Sequence, residues 1–339
     1  MVVGFKRRKW LAFLSASASG PEFTPLLEER GYFARTRMAA DLRYTTADVD
    51  FLESHFQEPN YDSGVEEAHY RLRNPPRERF LKTLHDVKPW LENFRDDPEW
   101  DGGGFMLCFA GHGREGDGAL VLENGVLTPK DLVDALVAIA SEVSPPGRLR
   151  VSVVLDSCHS GAFATELLDC CFREHGDLLV PWMVFASCME DEFALEESTL
   201  GHGLFTYCFS ANPLSPASYA ARAVQPDNTF GPSLAIASGE MGCSHLTTGA
   251  QNPIAYYNGA GHLEVCRRDV DLFEGGDYIG LEEMRTRLRR HRDEVTEPIR
   301  LARPDLHFTT RPSDEAQRAH TREIVAMLSQ DSSTRAAPA

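Results

Sequence analysis

Apolar positions in this chain fall into two patterns. Three stretches are continuous or nearly so: Phe105-Met106-Leu107-Cys108-Phe109-Ala110, Val151-Ser152-Val153-Val154-Leu155, and Leu178 to Ala186. Runs of this length without polar alternation predict strands buried on both faces, as in a parallel sheet. Elsewhere apolar residues recur at helical spacing. Phe80, Leu81, Leu84, Val87, Trp90, Leu91 and Phe94 predict one amphipathic helix. Leu132, Leu136 and Ile139 predict a second, ending near Ser141, and Leu281, Met284 and Leu288 an Arg-rich third reaching Glu294. A first strand is expected from Trp10 to Ser17. Thr46 can cap a helix through Asp48, Val49, Phe51 and Leu52.

Turn and cap residues punctuate these elements. Asn124-Gly125 between short apolar runs marks a hairpin. Thr128-Pro129-Lys130-Asp131 combines a cap, a proline at the first helical position and an acid at the third. Residues 58–76 read as a long polar loop, 211–262 as loops with short strands, 313–328 as a last helix and 332–339 as a frayed tail. Strands alternating with helices define an α/β fold, a mostly parallel central sheet with helices on both faces.

Composition narrows the function. Among 339 residues, 51 are Asp or Glu and 34 Lys or Arg, a net charge of −17. Such an excess of acids argues against a general nucleic-acid binder, which needs clustered cations for phosphates. The Arg-rich stretch 285–292 is read as a solvated helix face. No apolar run approaches the ~20 residues of a membrane helix, and the run after Lys6-Arg7-Arg8-Lys9 is too short for a signal peptide. The eight cysteines show neither a CxxC pair nor zinc spacing, so reduced thiols in a cytoplasmic protein are expected. No metal or other cofactor is expected: the acids could bind calcium, but no Asp-x-Asp-x-Asp-Gly loop is present.

Ligands of open α/β sheets bind beyond the carboxyl ends of strands. Two predicted buried strands end in reactive residues, His112 within Gly111-His112-Gly113 and Cys158 within Asp156-Ser157-Cys158-His159-Ser160-Gly161. A thiolate is a nucleophile for acyl transfer and an imidazole can manage its proton. Glycine beside His112 lets backbone approach a ligand, and the tight turn at Cys158 turns its N–H toward an oxyanion. Other choices are weaker. His202, in a second Gly-His-Gly, follows acidic residues and reads as a helix-start or loop residue. His159 points away from its neighbour Cys158 in extended chain. Cys108 reads as core, Cys188 lacks a small-residue turn, and Cys243-Ser244-His245 is too sparse for a metal.

These motifs resemble the caspase-like cysteine peptidases, metacaspases most closely. Ala110-Gly111-His112-Gly113 is similar to their histidine motif, and Val153 to Gly161 to their cysteine motif, with Cys158 46 positions after His112. The caspase Gln-Ala before the cysteine is replaced by Asp156-Ser157. Ala186 to Glu192 and Leu200 to Thr206 resemble the segment that builds the small-subunit side of the cleft. The likeness spans about residues 8–210. It implies a caspase-like α/β/α sandwich and an endopeptidase with a Cys158–His112 dyad, the N–H groups of Gly113 and Cys158 holding the oxyanion. It further implies acids in the pocket for the residue before the cut, hence cleavage after Arg or Lys. Asp156, on the same side of the chain as Cys158, and Asp48 match those acids, with Asp191 a weaker third. Ala110 stands where the family has a serine, which removes one polar pocket contact.

The domain reading is 1–270 for the peptidase domain, divided into 1–170 and 177–270 for large- and small-subunit-like parts, with a helical extension over 271–339. The expected partners are protein substrates with exposed basic residues and an activating protease or regulator. Arg173, Arg222 and Arg267-Arg268 are candidate processing sites. A catalytically silent scaffold and a non-proteolytic hydrolase or transferase are the rival readings.

Overall fold

The structure, a computed structural model, describes residues 12–18, 42–57, 68–88, 104–143, 149–197, 200–211, 243–257, 262–265 and 268–302. The expectations for residues 10–11, 89–94, 58–67, Arg222, Arg267 and 313–339 lie outside them. Strands β1 (Ala12–Ala18), β2 (Ala68–Arg73), β3 (Gly104–Gly111), β6 (Leu149–Ser157) and β7 (Leu179–Ala186) form a parallel sheet in the order β7-β6-β3-β1-β2. Three antiparallel strands extend it past β7: β10 (Ile254–Tyr257), β11 (His262–Val265) and β12 (Arg268–Asp271). The sheet is open, and the fold is mixed α/β with helices on both faces.

Period-two alternation in the central strands sorts the helices between the faces. Phe105, Leu107 and Phe109 of β3 and Val151, Val153 and Leu155 of β6 pack in one cluster. It includes Phe80 and Leu84 of α2 (Arg77–Asp86), Leu132 and Leu136 of α3 (Pro129–Val143), and Phe163 and Leu167 of α4 (Ser160–Glu174). The intervening Met106, Cys108 and Val154 pack in a second cluster. Their partners there are Leu52 of α1 (Thr45–Gln57) and Leu204, Phe205 and Cys208 of α5 (Leu204–Ala211). Every residue of β3 is buried, which is why its sequence shows no alternation.

Local signals reappear as hydrogen bonds. Asp131 N–H donates to Thr128 Oγ1 and Thr128 N–H to Asp131 Oδ2, a reciprocal cap that starts α3. Asn124-Gly125 turns between β4 (Leu120–Leu122) and β5 (Gly125–Leu127). The Arg-rich helix α7 runs from Leu281 to Ala302, past the Glu294 where its periodicity fades and through Pro298. Its Met284 and Leu288 join the first cluster, so this helix packs on the sheet's own core. The outer strand β2 exposes His69, Arg71 and Arg73 between Tyr70 and Leu72. Arg71 bonds Glu53 (2.8 Å from Nε) and reaches Asp50 at 3.3 Å, and Arg73 reaches Asp50 at 3.4 Å. No described helix is long and apolar enough to cross a membrane.

Candidate active site

Register brings the two reactive residues together. Gly111 of β3 pairs with Ser157 of β6, so His112 and Cys158 are the next residues beyond neighbouring parallel strands. The loop and turn then touch: a β-carbon on Gly113 would stand 1.8 Å from the Cys158 carbonyl oxygen. Only glycine admits that approach. Gly113 also opposes Leu120 in an antiparallel bridge. Its bonds, Val121 N–H to His112 O and Arg114 N–H to Ala119 O, leave the N–H of Gly113 outside the ladder. Gly113→Ala is therefore expected to displace the Cys158 turn, lowering stability by about 1–3 kcal/mol or more. Thermal melts and Cys158 alkylation rates read this, and a variant unchanged in both contradicts the packing.

The Cys158 turn is held from several sides. His159 adopts left-handed backbone (φ 57°) and begins α4. Its N–H donates to Glu192 O and its Nδ1 bonds Glu190 O, both at 2.9 Å. Ser187, just beyond β7, accepts Ser157 N–H and donates to Ser157 O, each at 3.1 Å. A β-carbon on Gly118 would stand 2.3 Å from His159 O, so the β3–β4 loop also presses on the turn. Cys158 is part-exposed, and its thiol lies 3.8 Å from Ala194 O. Burial pushes this thiol up to about 12, and burial lowers His112 to about 4. Both groups are neutral at rest around pH 7.

Beside them lies a buried pair of carboxylates. Asp48, in the first turn of α1, accepts Gly203 N–H (3.1 and 3.2 Å) and bonds His202 Nδ1 (2.9 Å). Asp156 accepts Thr206 Oγ1–H at 2.7 Å and Thr206 N–H at 3.3 Å, within the first turn of α5. A β-carbon on Gly203 would be 2.5 Å from Asp156 Oδ2 and 3.3 Å from Asp48 Oδ2, so the two acids meet across this glycine. Asp48 is 2% and Asp156 6% exposed. Burial is the main cause of the raised pKa of each; Asp156 adds to the rise at Asp48, and Glu196 to both. None of their partners among the described residues is a lysine or arginine. With only neutral donors and a histidine as partners, the charge of this buried pair is disfavoured, and a bound cation would restore it.

The other expected residues fall elsewhere. Asp191 is exposed and bonded to Arg292 of α7. His202 is in β9 (His202–Gly203), directly before α5, with Asp48 on one ring nitrogen and Phe51 5.4 Å from its ring. Arg173, read as part of a connector, lies in the last turn of α4, paired with Asp169 at 2.9 Å. Cys171 is fully buried in the same helix, so a protease would have to unwind it to reach Arg173.

Several site residues carried no signal in the sequence reading. Glu196, in β8 (Glu196–Glu197), accepts the N–H groups of Arg43 and Tyr44 and adds charge near the pair. Glu192 is buried, accepting Asn252 N–H (2.7 Å), Asn252 Nδ2–H (2.6 Å) and Met189 N–H (3.1 Å). Burial raises its carboxyl to about 7. Gln251 spans from Ser187 O to Leu195 N–H, tying the strip 187–195 to the turn after α6 (Cys243–Leu246). Among the described residues no group of three or more His, Cys, Asp or Glu could hold a metal ion. No protein-family model and no curated protein matches the chain.

Proposed function

We propose that the chain is a cysteine endopeptidase of the caspase-like, metacaspase type that cuts proteins after Arg, with Lys second. The observation that carries this reading is the juxtaposition of His112 and Cys158 with the buried acids Asp48 and Asp156, at the carboxyl ends of adjacent strands. Cys158 Sγ attacks the scissile carbonyl carbon while its proton passes to His112. The N–H groups of Gly113 and Cys158 donate to the oxyanion. The C–N bond breaks as His112 protonates the leaving amine, leaving a thioester. Water, deprotonated by His112, hydrolyses the thioester, freeing the acid and restoring the thiol.

Specificity follows from charge. A guanidinium between Asp48 and Asp156 supplies the cation their neutral partners do not, and its planar donors suit two carboxylates. Fluorogenic peptides with Arg, Lys or Asp before the cut test this directly: the expected order is Arg, then Lys, with Asp uncut. Preferred cleavage after Asp rejects the pocket, and ester cleavage without peptide cleavage rejects the endopeptidase. A silent scaffold would show no turnover and no selective labelling of Cys158.

A further inference from the structure

Three arginines of α7 fall on one face at i, i+4 and i+7, and each meets the acidic strip after β7. Arg285 Nε is 3.1 Å from Glu190 and Arg289 Nε 2.9 Å from the same carboxylate. Arg292 bonds Asp191 and lies 3.6 Å from Glu192. Arg285, Glu190, Arg292 and Glu192 are largely buried, with side chains 18, 20, 12 and 8% exposed. Pairs so enclosed are screened far less than surface pairs.

The backbone of that strip grips the nucleophile turn. The carbonyls of Glu190 and Glu192 hold His159 through its ring and its N–H, each at 2.9 Å, and Ala194 O faces the Cys158 thiol. A β-carbon on Gly161 would be 2.7 Å from Cys188 O and 2.9 Å from Glu190 N, so strip and turn are in direct contact. His159 is the residue whose left-handed backbone needs such support, because a non-glycine residue keeps that conformation only when its surroundings enforce it.

We infer that α7 is a positioning clamp for the nucleophile: Arg285, Arg289 and Arg292 fix the strip 190–192, which fixes His159 and so aims Cys158. This rests on the reading of Cys158 as the nucleophile. The Arg-rich stretch thereby has a task inside the molecule, and α7 becomes part of the catalytic apparatus. The three arginines touch no reacting atom; they act through the strip.

The test replaces all three by Ala in the full chain and reads kcat, KM, the melting temperature and the rate at which iodoacetamide alkylates Cys158. The expected result is a folded protein with KM unchanged and kcat lower by about 10- to 100-fold, the scale of a small misplacement of a reacting group. The alkylation rate shifts with kcat, and the triple Lys variant, which keeps the charges, recovers much of the loss. Wild-type kcat and alkylation in the folded Ala variant overturn the clamp. If that variant does not fold, Glu190→Gln replaces it: both ion pairs of Glu190 are lost while its carbonyl stays on His159. Unchanged kcat and alkylation there also overturn the clamp. If the wild-type protein cuts no peptide, alkylation alone decides: a shifted rate supports the clamp while the peptidase reading fails, and an unshifted rate refutes the clamp.

Discussion

Cys158→Ala protein is expected to melt like the wild type and to cleave no arginyl peptide. The side chain is part-exposed at a turn whose shape is set by His159, Ser187 and Gly113, so truncating it leaves little cavity. Cys188 is no substitute nucleophile: it is fully buried, its Sγ turned to Ser157 O and Glu192 O. Where catalytic groups act as a unit, removing the nucleophile alone costs on the order of 10⁶ in kcat. His112→Ala should retain about 1% or less of wild-type activity, and the double variant should be no worse than Cys158→Ala. Initial rates on the arginyl peptide measure all three. Turnover persisting in either single variant removes the dyad. His112 also links stability to pH. Its folded pKa lies below the ordinary 6.5, so the unfolded chain takes up a proton first as pH falls from 6.5 toward 4, and the wild type loses stability across that window. His112→Ala removes this component.

Asp48→Asn and Asp156→Asn should each weaken catalysis yet stabilise the empty protein. An amide still accepts from Gly203 N–H or Thr206, but the charge offered to a guanidinium is halved. Losing one partner of an enclosed charge pair costs about 2–5 kcal/mol, so kcat/KM on arginyl peptides should fall about 30-fold or more. The melting temperature moves the other way. Both carboxyls have folded pKa values above the ordinary 3.8 because burial disfavours their charge. Their contribution is therefore complete below pH 3.8 and lost as pH rises through the folded values. Asp48→Asn should match the wild type near pH 3.5 and exceed it by a few degrees at pH 8, corresponding to about 1–3 kcal/mol. Calorimetry at the two values checks the sign, and a less stable variant at pH 8 shows that the pair is not strained when empty.

The parts of this architecture legible in the sequence are those set by local patterns. β3 and β6 announce themselves because burial on both faces leaves no alternation. The Thr128–Asp131 cap and the Asn124-Gly125 turn are complete within four residues. Asp156 was legible as the acid that closes the apolar run of β6, but its bond to Thr206 and its approach to Asp48 were not. Strand order was not, since Gly111 opposes Ser157 only after a crossover through α3. Nor were the bonds of Glu192 to Asn252, 60 positions away, or of Asp191 to Arg292, 101 positions away. An acid and an arginine that meet across such a separation look like two solvated surface residues. His202 shows the same effect: its context gave a helix-start or loop residue, whereas it lies in β9 directly before α5 and bonds Asp48, 154 positions earlier.

Among the described residues β2 is one of the sheet's two outer strands, and it bears on how copies of the chain meet. A bare strand edge is a template on which another chain can add, and runaway addition gives fibrils. Here β2 carries the cations Arg71 and Arg73, anchored to Asp50 and Glu53 of α1. A second β2 docking edge to edge would bring like charges together and strip their water. This margin of the sheet is charged against self-templating, two strands from β3 and three from β6.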